Sequence, residues 1–308
     1  MPLMGLSRVQ VLSAVGVALL GSACEVFLNA DGVQCSVDGD CAARGGRFVG
    51  TACVDNVCQA PHVVPPHVEA GVDAAPAGPL DCVGSPSVPT DVTKRLRLEL
   101  PIINFDMGKP LTGATIKLCS RTDFTCATPR VTGLVPDPNT GVVVVNVEGG
   151  FSGYFQATGD GVQNSIYLVN PPAVTDGRLV QWNVISPLTF QTLAKIATNG
   201  SSAIDPQLGH AIVGARDCFL TSLAGASFLP DRLDSKTKSF YLVDNLPDVS
   251  RGATDKGGTG GFINLPTGFL EIRMTLDPGK TIATANIVIR PGFLTYILTT
   301  PAHSPVIP

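Results

Sequence analysis

The chain is poor in charge, in large aromatic rings and in long apolar segments, and each shortage excludes a class of function. Charged residues make up 15% of the 308 residues, and the lysines and arginines are scattered along the sequence. We therefore expect no nucleic-acid partner, because such partners need a concentrated positive patch. Aromatic residues make up 6%, with one tryptophan, Trp182, which leaves few flat rings for stacking a sugar.

Apolar runs long enough to span a membrane are absent after Leu20, since none reaches roughly 18 residues. The N-terminus is different: residues 1–8 hold one positive side chain, residues 9–20 are almost wholly apolar, and small residues precede Cys24. This order predicts an export signal at 1–23 that is removed before Cys24. It resembles the N-terminus of bacterial lipoproteins, which implies lipidation of Cys24 and attachment to a membrane through that lipid.

The cysteine count agrees with export. There are nine cysteines, and lipidation of Cys24 leaves an even set of eight with no CxxC spacing, which favours disulfides over a metal or redox role. The disulfide candidates are Cys35, Cys41, Cys53, Cys58, Cys82, Cys119, Cys126 and Cys218. Cys119 and Cys126 are close enough to clip a hairpin loop, and elimination then pairs Cys82 with Cys218.

Composition divides the chain into segments. Residues 24–58 form a cysteine-rich module that is too small to bury a core without disulfides. Residues 59–80 are rich in proline and alanine, which predicts a linker without regular hydrogen bonding. We predict β-sandwich domains at 81–183 and 201–308, joined by a helix within 184–200.

The region after the linker has the pattern of an all-β protein, with one exception. Short runs of branched and aromatic residues alternate with glycine, proline, asparagine and aspartate, which is typical of sandwiches. The predicted strands are 96–100, 114–118, 141–147, 153–157, 165–169, 239–243, 261–265, 269–275, 284–289 and 294–298. The exception is the helix at 186–198, where Ser186 is a good N-cap, Pro187 suits the first turn and Asn199-Gly200 ends it.

An internal repeat supports two domains. At a constant offset of 118 (255 − 137), a set of residues recurs between the two halves of this region. The matched pairs are Asp137 and Asp255, Val145 and Ile263, Asn146 and Asn264, Val147 and Leu265, Gly150 and Gly268, and Phe151 and Phe269. Upstream, Gly113-Ala114-Thr115 corresponds to Gly225-Ala226-Ser227.

The second copy resembles the carboxypeptidase regulatory-like, or transthyretin-like, β-sandwich family. The resemblance rests on Ala253-Thr254-Asp255, on the run from Gly261-Phe262 to Pro266-Thr267-Gly268, and on Arg290-Pro291-Gly292. The first copy departs from this pattern, since Pro136 and Glu148 replace the threonine and proline. The resemblance implies tandem antiparallel sandwiches with a stabilising or binding role and no catalytic machinery.

Motifs that suggest chemistry are incomplete. The glycine run at 257–261 lacks the lysine of a phosphate-binding loop, and Ser235 to Lys238 lacks the companion motifs of its enzyme class. Asp137 to Gly141 imitates part of a calcium loop but is predicted to be a turn. His210 and His303 are predicted to be surface histidines, and Trp182 to pack at the domain boundary. We therefore predict no catalytic residue, no cofactor and no metal site.

These observations predict a non-enzymatic lipoprotein of the outer membrane or cell surface, with an envelope protein or a glycan as partner. Glu25 follows Cys24, so the aspartate that often retains lipoproteins at the inner membrane is absent. The alternative is an accessory subunit or secreted hydrolase that uses loop carboxylates of the second domain in a calcium- or glycan-dependent role. Those carboxylates belong to Asp231, Asp234, Asp244, Asp248 and Asp255.

Overall fold

A computed structural model describes residues 37–43, 52–54, 57–59, 78–84, 92–200, 204–276, 279–302 and 305–307. The predicted export signal, Cys24, Cys35, His303 and most of the predicted linker lie outside these residues. Contacts divide the chain into two compact units, Met1–Ala74 and Ala75–Pro308. Within the described residues, no helix has the length and apolar character needed to cross a membrane.

The first unit contains a short helix and a hairpin, as expected of a bridged module. Helix α1 is Asp38–Ala43, and strands β1 (Ala52–Val54) and β2 (Val57–Gln59) pair antiparallel with Cys53 opposite Cys58. Cys41 is fully buried, and both Cys41 and Cys53 are in disulfide bonds. The cysteines therefore supply the interior that so short a segment cannot build from apolar side chains.

The second unit is built almost wholly of strands, which confirms the predicted fold class. The strands before the helix are β3 (Arg95–Asn104), β4 (Lys109–Pro110), β5 (Thr115–Cys119), β6 (Val131–Leu134), β7 (Val142–Glu148), β8 (Tyr154–Thr158), β9 (Ser165–Leu168), β10 (Gly177–Leu179) and β11 (Trp182–Val184). After helix α2 (Pro187–Ala197) come β12 (Gly209–Ala215), β13 (Ala226–Pro230), β14 (Lys238–Val243), β15 (Leu246–Asp248), β16 (Thr259–Leu265), β17 (Gly268–Leu276), β18 (Lys280–Ile289), β19 (Leu294–Thr299) and β20 (Val306–Ile307).

The first sandwich packs one sheet centred on β3 against a second sheet of β5, β6, β8 and β9. Strand β3 pairs antiparallel with β7 and parallel with β10 and β11, and β8 pairs antiparallel with β5 and β9. Alternate residues of β3, from Leu96 to Ile102, are fully buried. They meet Ile116, Leu118 and Phe155 in one apolar cluster, so the alternation of β3 gives the sheet one core-facing side.

The second sandwich repeats this arrangement. Strand β12 pairs antiparallel with β16 and parallel with β19, as β3 pairs with β7 and β10. The facing sheet β13-β17-β18 corresponds to β5-β8-β9. Strands β7 and β16 each follow an aspartate-led turn, at Asp137 and Asp255, and each is followed by a crossing to the facing sheet. The repeat in the sequence is therefore also a repeat in strand order.

The two sandwiches share a sheet. Strand β9 of the first pairs in parallel with β19 of the second, so nine strands, in the order β15-β14-β16-β12-β19-β9-β8-β5-β6, form one continuous sheet. Ile166 and Leu168 of β9 pack with the core of the second sandwich, whereas Tyr167 packs with the core of the first. The two sandwiches are therefore joined through β9 and β19 in one sheet.

Helix α2 lies on the outer face of the second sandwich. Its first turn is capped by Ser186, whose hydroxyl accepts a hydrogen bond from the Thr189 amide at 3.2 Å. Asn199 and Gly200 follow with φ of 50° and 67°, the left-handed conformation that ends a helix. Phe190, Ala194 and Ala197 pack against Phe240, Ile263 and Leu294 in a separate apolar cluster. The predicted helix is confirmed, and its apolar face covers the sheet.

Disulfide bonds are confirmed in the second unit. Cys119 pairs with Cys126 across a separation of 7 residues, and Cys82 pairs with Cys218 across 136. The Cα–Cα distances are 5.5 Å and 5.9 Å. The arm at 78–84 joins the second sandwich rather than the first, because Leu80 and Val83 pack on the second core and the Cys218 amide donates to the Pro79 carbonyl at 2.9 Å.

Candidate functional site

The candidate site is a groove where the two sandwiches and helix α2 meet. We call it the junction groove; it encloses about 180 Å³ and is lined mainly by apolar atoms. The first sandwich contributes Tyr167, Gln181 and Asn183, the helix contributes Leu193, and the shared sheet supplies the floor. A concave, largely apolar surface with a few polar groups is the usual form of a small-molecule site.

Strand register fixes the floor of the groove. On β12, Ile212 lies opposite Tyr296 of β19, and Gly214 lies opposite both Leu298 of β19 and Thr259 of β16. Because alternate residues of a strand share a face, Arg216 continues this row just beyond β12. Its amide donates to the Thr299 carbonyl at 3.0 Å, which holds the row in line. The floor therefore has an apolar end at Ile212 and a cationic end at Arg216.

Gly214 keeps the middle of this floor open. A Cβ placed on Gly214 would lie 2.8 Å from the Leu298 Cδ2 atom and 3.5 Å from the Arg216 Nη1 atom. The first distance is too short for two carbon atoms, so any side chain at 214 would displace Leu298. The glycine is thus needed for the close approach of Leu298 and Arg216 over the sheet.

Arg216 has no carboxylate partner among the described residues. Its Nη1 donates to the Ala215 carbonyl at 2.8 Å and to the Gly258 carbonyl at 3.5 Å. The neighbouring Asp217 carboxylate instead accepts the amides of Phe219 and Thr221, at 2.8 and 2.9 Å. Burial lowers the pKa of Arg216, while Tyr167 and Asp217 act in the opposite direction. The guanidinium is therefore partly desolvated and its charge is not balanced by an ion pair.

Trp182, Tyr167 and Tyr296 form an aromatic cluster at the groove. The ring of Trp182 is 5.8 Å from that of Tyr167 and 6.2 Å from that of Tyr296, and both tyrosines line the groove. Trp182 is fully buried and belongs to the core of the first sandwich, where its ring also contacts Tyr296 of β19. The Tyr167 hydroxyl donates to the Val180 carbonyl at 2.9 Å, and burial raises the pKa of both tyrosines.

His210 is buried, and its predicted surface position is wrong. It lies on β12 with no exposed surface, and its ring is 4.8 Å from that of Phe190. Its Nδ1 accepts the Asn264 amide at 3.2 Å, while Nε2 has no partner within the described part of the chain. Burial lowers the pKa of His210 to about 4. Helix α2 covers this histidine, which a pattern confined to nearby sequence does not show.

Three of the five loop aspartates of the second sandwich stabilise a local turn. Asp234 accepts the Lys236 amide at 2.8 Å, Asp248 the Ser250 amide at 2.9 Å, and Asp255 the Gly257 amide at 2.7 Å. Asp231 accepts the Glu271 amide across a strand pair, and Asp244 has φ of 50° in the β14–β15 turn. In the ranges that the structure describes, no three histidine, cysteine or acidic residues could hold a metal ion together.

The other sequence motifs also have structural places. Asp137 accepts the amides of Asn139 and Thr140, as expected for a turn. In the segment from Ser235 to Lys238, the Lys236 ammonium pairs with the Asp205 carboxylate at 2.7 Å. Arg216 is not predictable as a site residue from the sequence, because a lone arginine after a run of small residues is normally solvated.

Comparison with known proteins finds no matching family model and no matching curated protein. Solved structures do show similarity. The chain is similar to the Bacillus anthracis TIE protein, with 13% identity, a TM-score of 0.23, and coverage of 67% of this chain and 34% of that one. It thus spans about a third of that protein's length.

Two pilins are similar at the same level. The shaft pilin SpaA from Lactobacillus rhamnosus GG has 13% identity and a TM-score of 0.23, covering 68% of this chain and 98% of its own. BcpA, the major pilin subunit of Bacillus cereus, has 12% identity and a TM-score of 0.23, covering 68% and 100%. At these TM-scores the similarities carry no inference about function.

Proposed function

We propose that the protein is a non-enzymatic lipoprotein of the bacterial cell envelope that presents two fused β-sandwiches for binding. The observation that carries this proposal is the pair of disulfides, Cys82–Cys218 and Cys119–Cys126. Disulfides form and persist mainly in oxidising compartments, and the predicted export signal would deliver the chain to one.

The order of segments supports attachment at the N-terminal side. Lipidated Cys24 would be followed by the cysteine-rich module and by a linker of about 20 residues, which reaches at most roughly 60 Å when extended. Such a spacer would let the sandwiches stand clear of the membrane surface. We place the protein at the outer membrane because Glu25 follows Cys24.

A binding role agrees with the chemistry of the junction groove. The groove joins one cation to apolar walls, an arrangement suited to holding a molecule. Four of the five loop aspartates of the second sandwich accept backbone amides of their own turn or of a paired strand. No observation favours the accessory or hydrolase alternative.

Mass spectrometry of the full chain produced in a Gram-negative host tests the proposal. We expect an N-terminus at Cys24 that carries a diacylglyceryl group and an acyl chain, with the protein in the membrane fraction. The Cys24→Ala variant should lose both lipid and membrane association while it keeps its disulfides. An intact, unacylated N-terminus together with free thiols would reject the proposal.

Position in the envelope and the acidic-loop alternative need separate measurements. Protease treatment of whole cells should cleave a surface-exposed chain and spare one that faces the periplasm. Calorimetric titration with calcium should give no heat, either for the unaltered chain or for the Asp244→Ala/Asp255→Ala double variant. Heat that the double substitution removes would restore the acidic-loop alternative.

A further inference from the structure

We propose that the junction groove binds a small apolar monocarboxylate, with the carboxylate on Arg216 and an aromatic or short aliphatic body over Ile212 and Tyr296. The groove supports the binding role proposed above, but ligand binding in it does not depend on the lipid or on the location of the protein. A chain that proved to be unlipidated would still contain the groove.

The positive charge of Arg216 favours an anionic ligand. Arg216 is partly buried, donates only to backbone carbonyls, and has no acidic partner in the described residues. A partly desolvated charge without an ion-pair partner is unfavourable, and a ligand carboxylate would supply both the paired charge and the planar pair of acceptors that a guanidinium matches. Only the Nη1 atom is engaged by these carbonyls, and the residue lines the groove.

The lining limits the ligand to one charge. Among the described residues that line the groove, Arg216 is the only cationic one, and Tyr167, Leu193, Leu242 and Leu298 make most of the remaining wall apolar. A second carboxylate or a phosphate would have to lose water without a partner, at a large cost. The few neutral polar side chains, such as Asn245 and Thr259, can hydrogen-bond without adding charge.

The volume of the groove limits the size of the apolar part of the ligand. From Ile212 to Arg216 the strand advances about 13 Å, at roughly 3.3 Å per residue. A dry apolar cavity of about 150 Å³ is known to accept benzene, so about 180 Å³ suits one ring or a short chain. The rings of Tyr167 and Tyr296 favour an aromatic body, because aromatic pairs gain energy beyond their buried area.

Titration with 3-phenylpropionate tests the site, using the full chain with Cys24→Ala so that no detergent is needed. Trp182 is the single tryptophan and lies 6.2 Å from the ring of Tyr296, so its fluorescence should report binding. We expect saturable one-to-one binding, which calorimetry should reproduce. The neutral analogue 3-phenylpropanol should bind at least about tenfold more weakly, because it cannot form the charged hydrogen bonds.

Three variants sharpen the test. Arg216→Gln should weaken binding of the acid at least about tenfold and leave binding of the alcohol unchanged. Gly214→Val should abolish both, because its side chain would fill the floor. Arg121→Gln is the matched control: Arg121 is another partly buried arginine, and it bonds to Ser152 away from the groove, so its loss should leave binding unchanged.

Several results would overturn the inference. These are no saturable binding of the acid at millimolar concentration, equal affinity for acid and alcohol, or an Arg216→Gln variant that is folded and binds the acid normally. Thermal unfolding of each variant shows whether it is folded. If Arg216→Gln does not fold, the comparison of acid with alcohol on the unaltered groove still decides the question.

Discussion

Strand β9 of the first sandwich is buried on both faces, whereas the corresponding strand of the second sandwich, β18, has one face partly in solvent. Every residue of β9 is buried, because alternate side chains enter different cores. On β18, the buried residues Ala285 and Ile287 alternate with the exposed residues Thr284 and Asn286. Two copies of one strand order thus have different surfaces, and the difference comes from where β9 meets β19.

The largest expected effect is the loss of stability when a disulfide is removed, and it should differ between the two disulfides. Replacing Cys82 and Cys218 by alanine should lower the free energy of unfolding by about 4–5 kcal/mol, because the bond closes a loop of 136 residues. The bond between Cys119 and Cys126 closes a loop of only 7 residues. Replacing these two cysteines by alanine should therefore lower the free energy of unfolding by about 2 kcal/mol. Urea unfolding of the two double variants measures both. Equal losses would show that loop length does not decide their contributions.

The next effect tests whether the sandwiches unfold together. Ile166→Ala removes a fully buried side chain of β9 from the second core and should cost about 2–5 kcal/mol. Because β9 belongs to the sheet of both sandwiches, we expect a single transition that shifts as a whole. Leu229→Ala, at a position that is 48% exposed on β13, is the control and should change stability by less than about 1 kcal/mol.

Calorimetry and circular dichroism should agree on that single transition. Two separate transitions, with only one shifted by Ile166→Ala, would mean that the sandwiches are thermodynamically independent despite the shared sheet.

A smaller effect concerns pH and belongs to the second sandwich alone. Burial lowers the pKa of His210 to about 4 from an ordinary value of 6.5, so the unfolded chain takes up a proton that the folded chain does not. Stability should be complete above pH 6.5 and fall as the pH drops toward 4, by at most roughly 3 kcal/mol. Unfolding in urea at stepped pH measures the slope.

His210→Gln provides the control for this pH effect. The amide side chain does not titrate, so the slope between pH 6.5 and 4 should become flat. An unchanged slope would assign the effect to other groups. Carboxylates with lowered pKa, such as those of Asp137 and Asp248, lose their contribution only at lower pH.

The smallest effect compares the two repeated turns. Asp137 accepts two amides and the Thr140 hydroxyl, and these bonds hold its pKa below the usual range, whereas the side chain of Asp255 accepts one amide. Asp137→Ala should therefore lower the melting temperature slightly more than Asp255→Ala. A larger loss for Asp255→Ala would mean that the second turn depends on contacts other than these hydrogen bonds.

Local pattern predicted much of this fold. Runs such as 141–147 and 284–289 are strands because branched residues fit a half-buried pleated surface, and Ser186 with Pro187 marks the start of the helix. The sequence pattern does not predict strand β12, because Gly209, His210 and Gly214 interrupt its run of apolar residues. Those glycines are needed there: a Cβ on Gly209 would lie 2.4 Å from the Arg290 carbonyl oxygen.

The local sequence pattern does not predict the junction between the two sandwiches. The pairing of β9 with β19 joins residues about 130 positions apart, and nothing in either segment names its neighbour. The junction groove depends on that pairing, so Arg216 could not be recognised as part of a site. A positive side chain directly after small residues such as Gly214 and Ala215 was the one local signal, and it is a weak one.

The bond between Cys82 and Cys218 also determines how tension would travel through the molecule. A pull on the chain before residue 82 passes through the two sulfur atoms to residue 218 without loading the backbone between them. The first sandwich, which lies within that bypassed stretch, would bear no stretching force while the bond is intact. The second sandwich, with any ligand bound to it, would thus be connected to the N-terminal segment by covalent bonds that bypass the first sandwich. Reduction of the disulfide would transfer the force to the hydrogen bonds between strands.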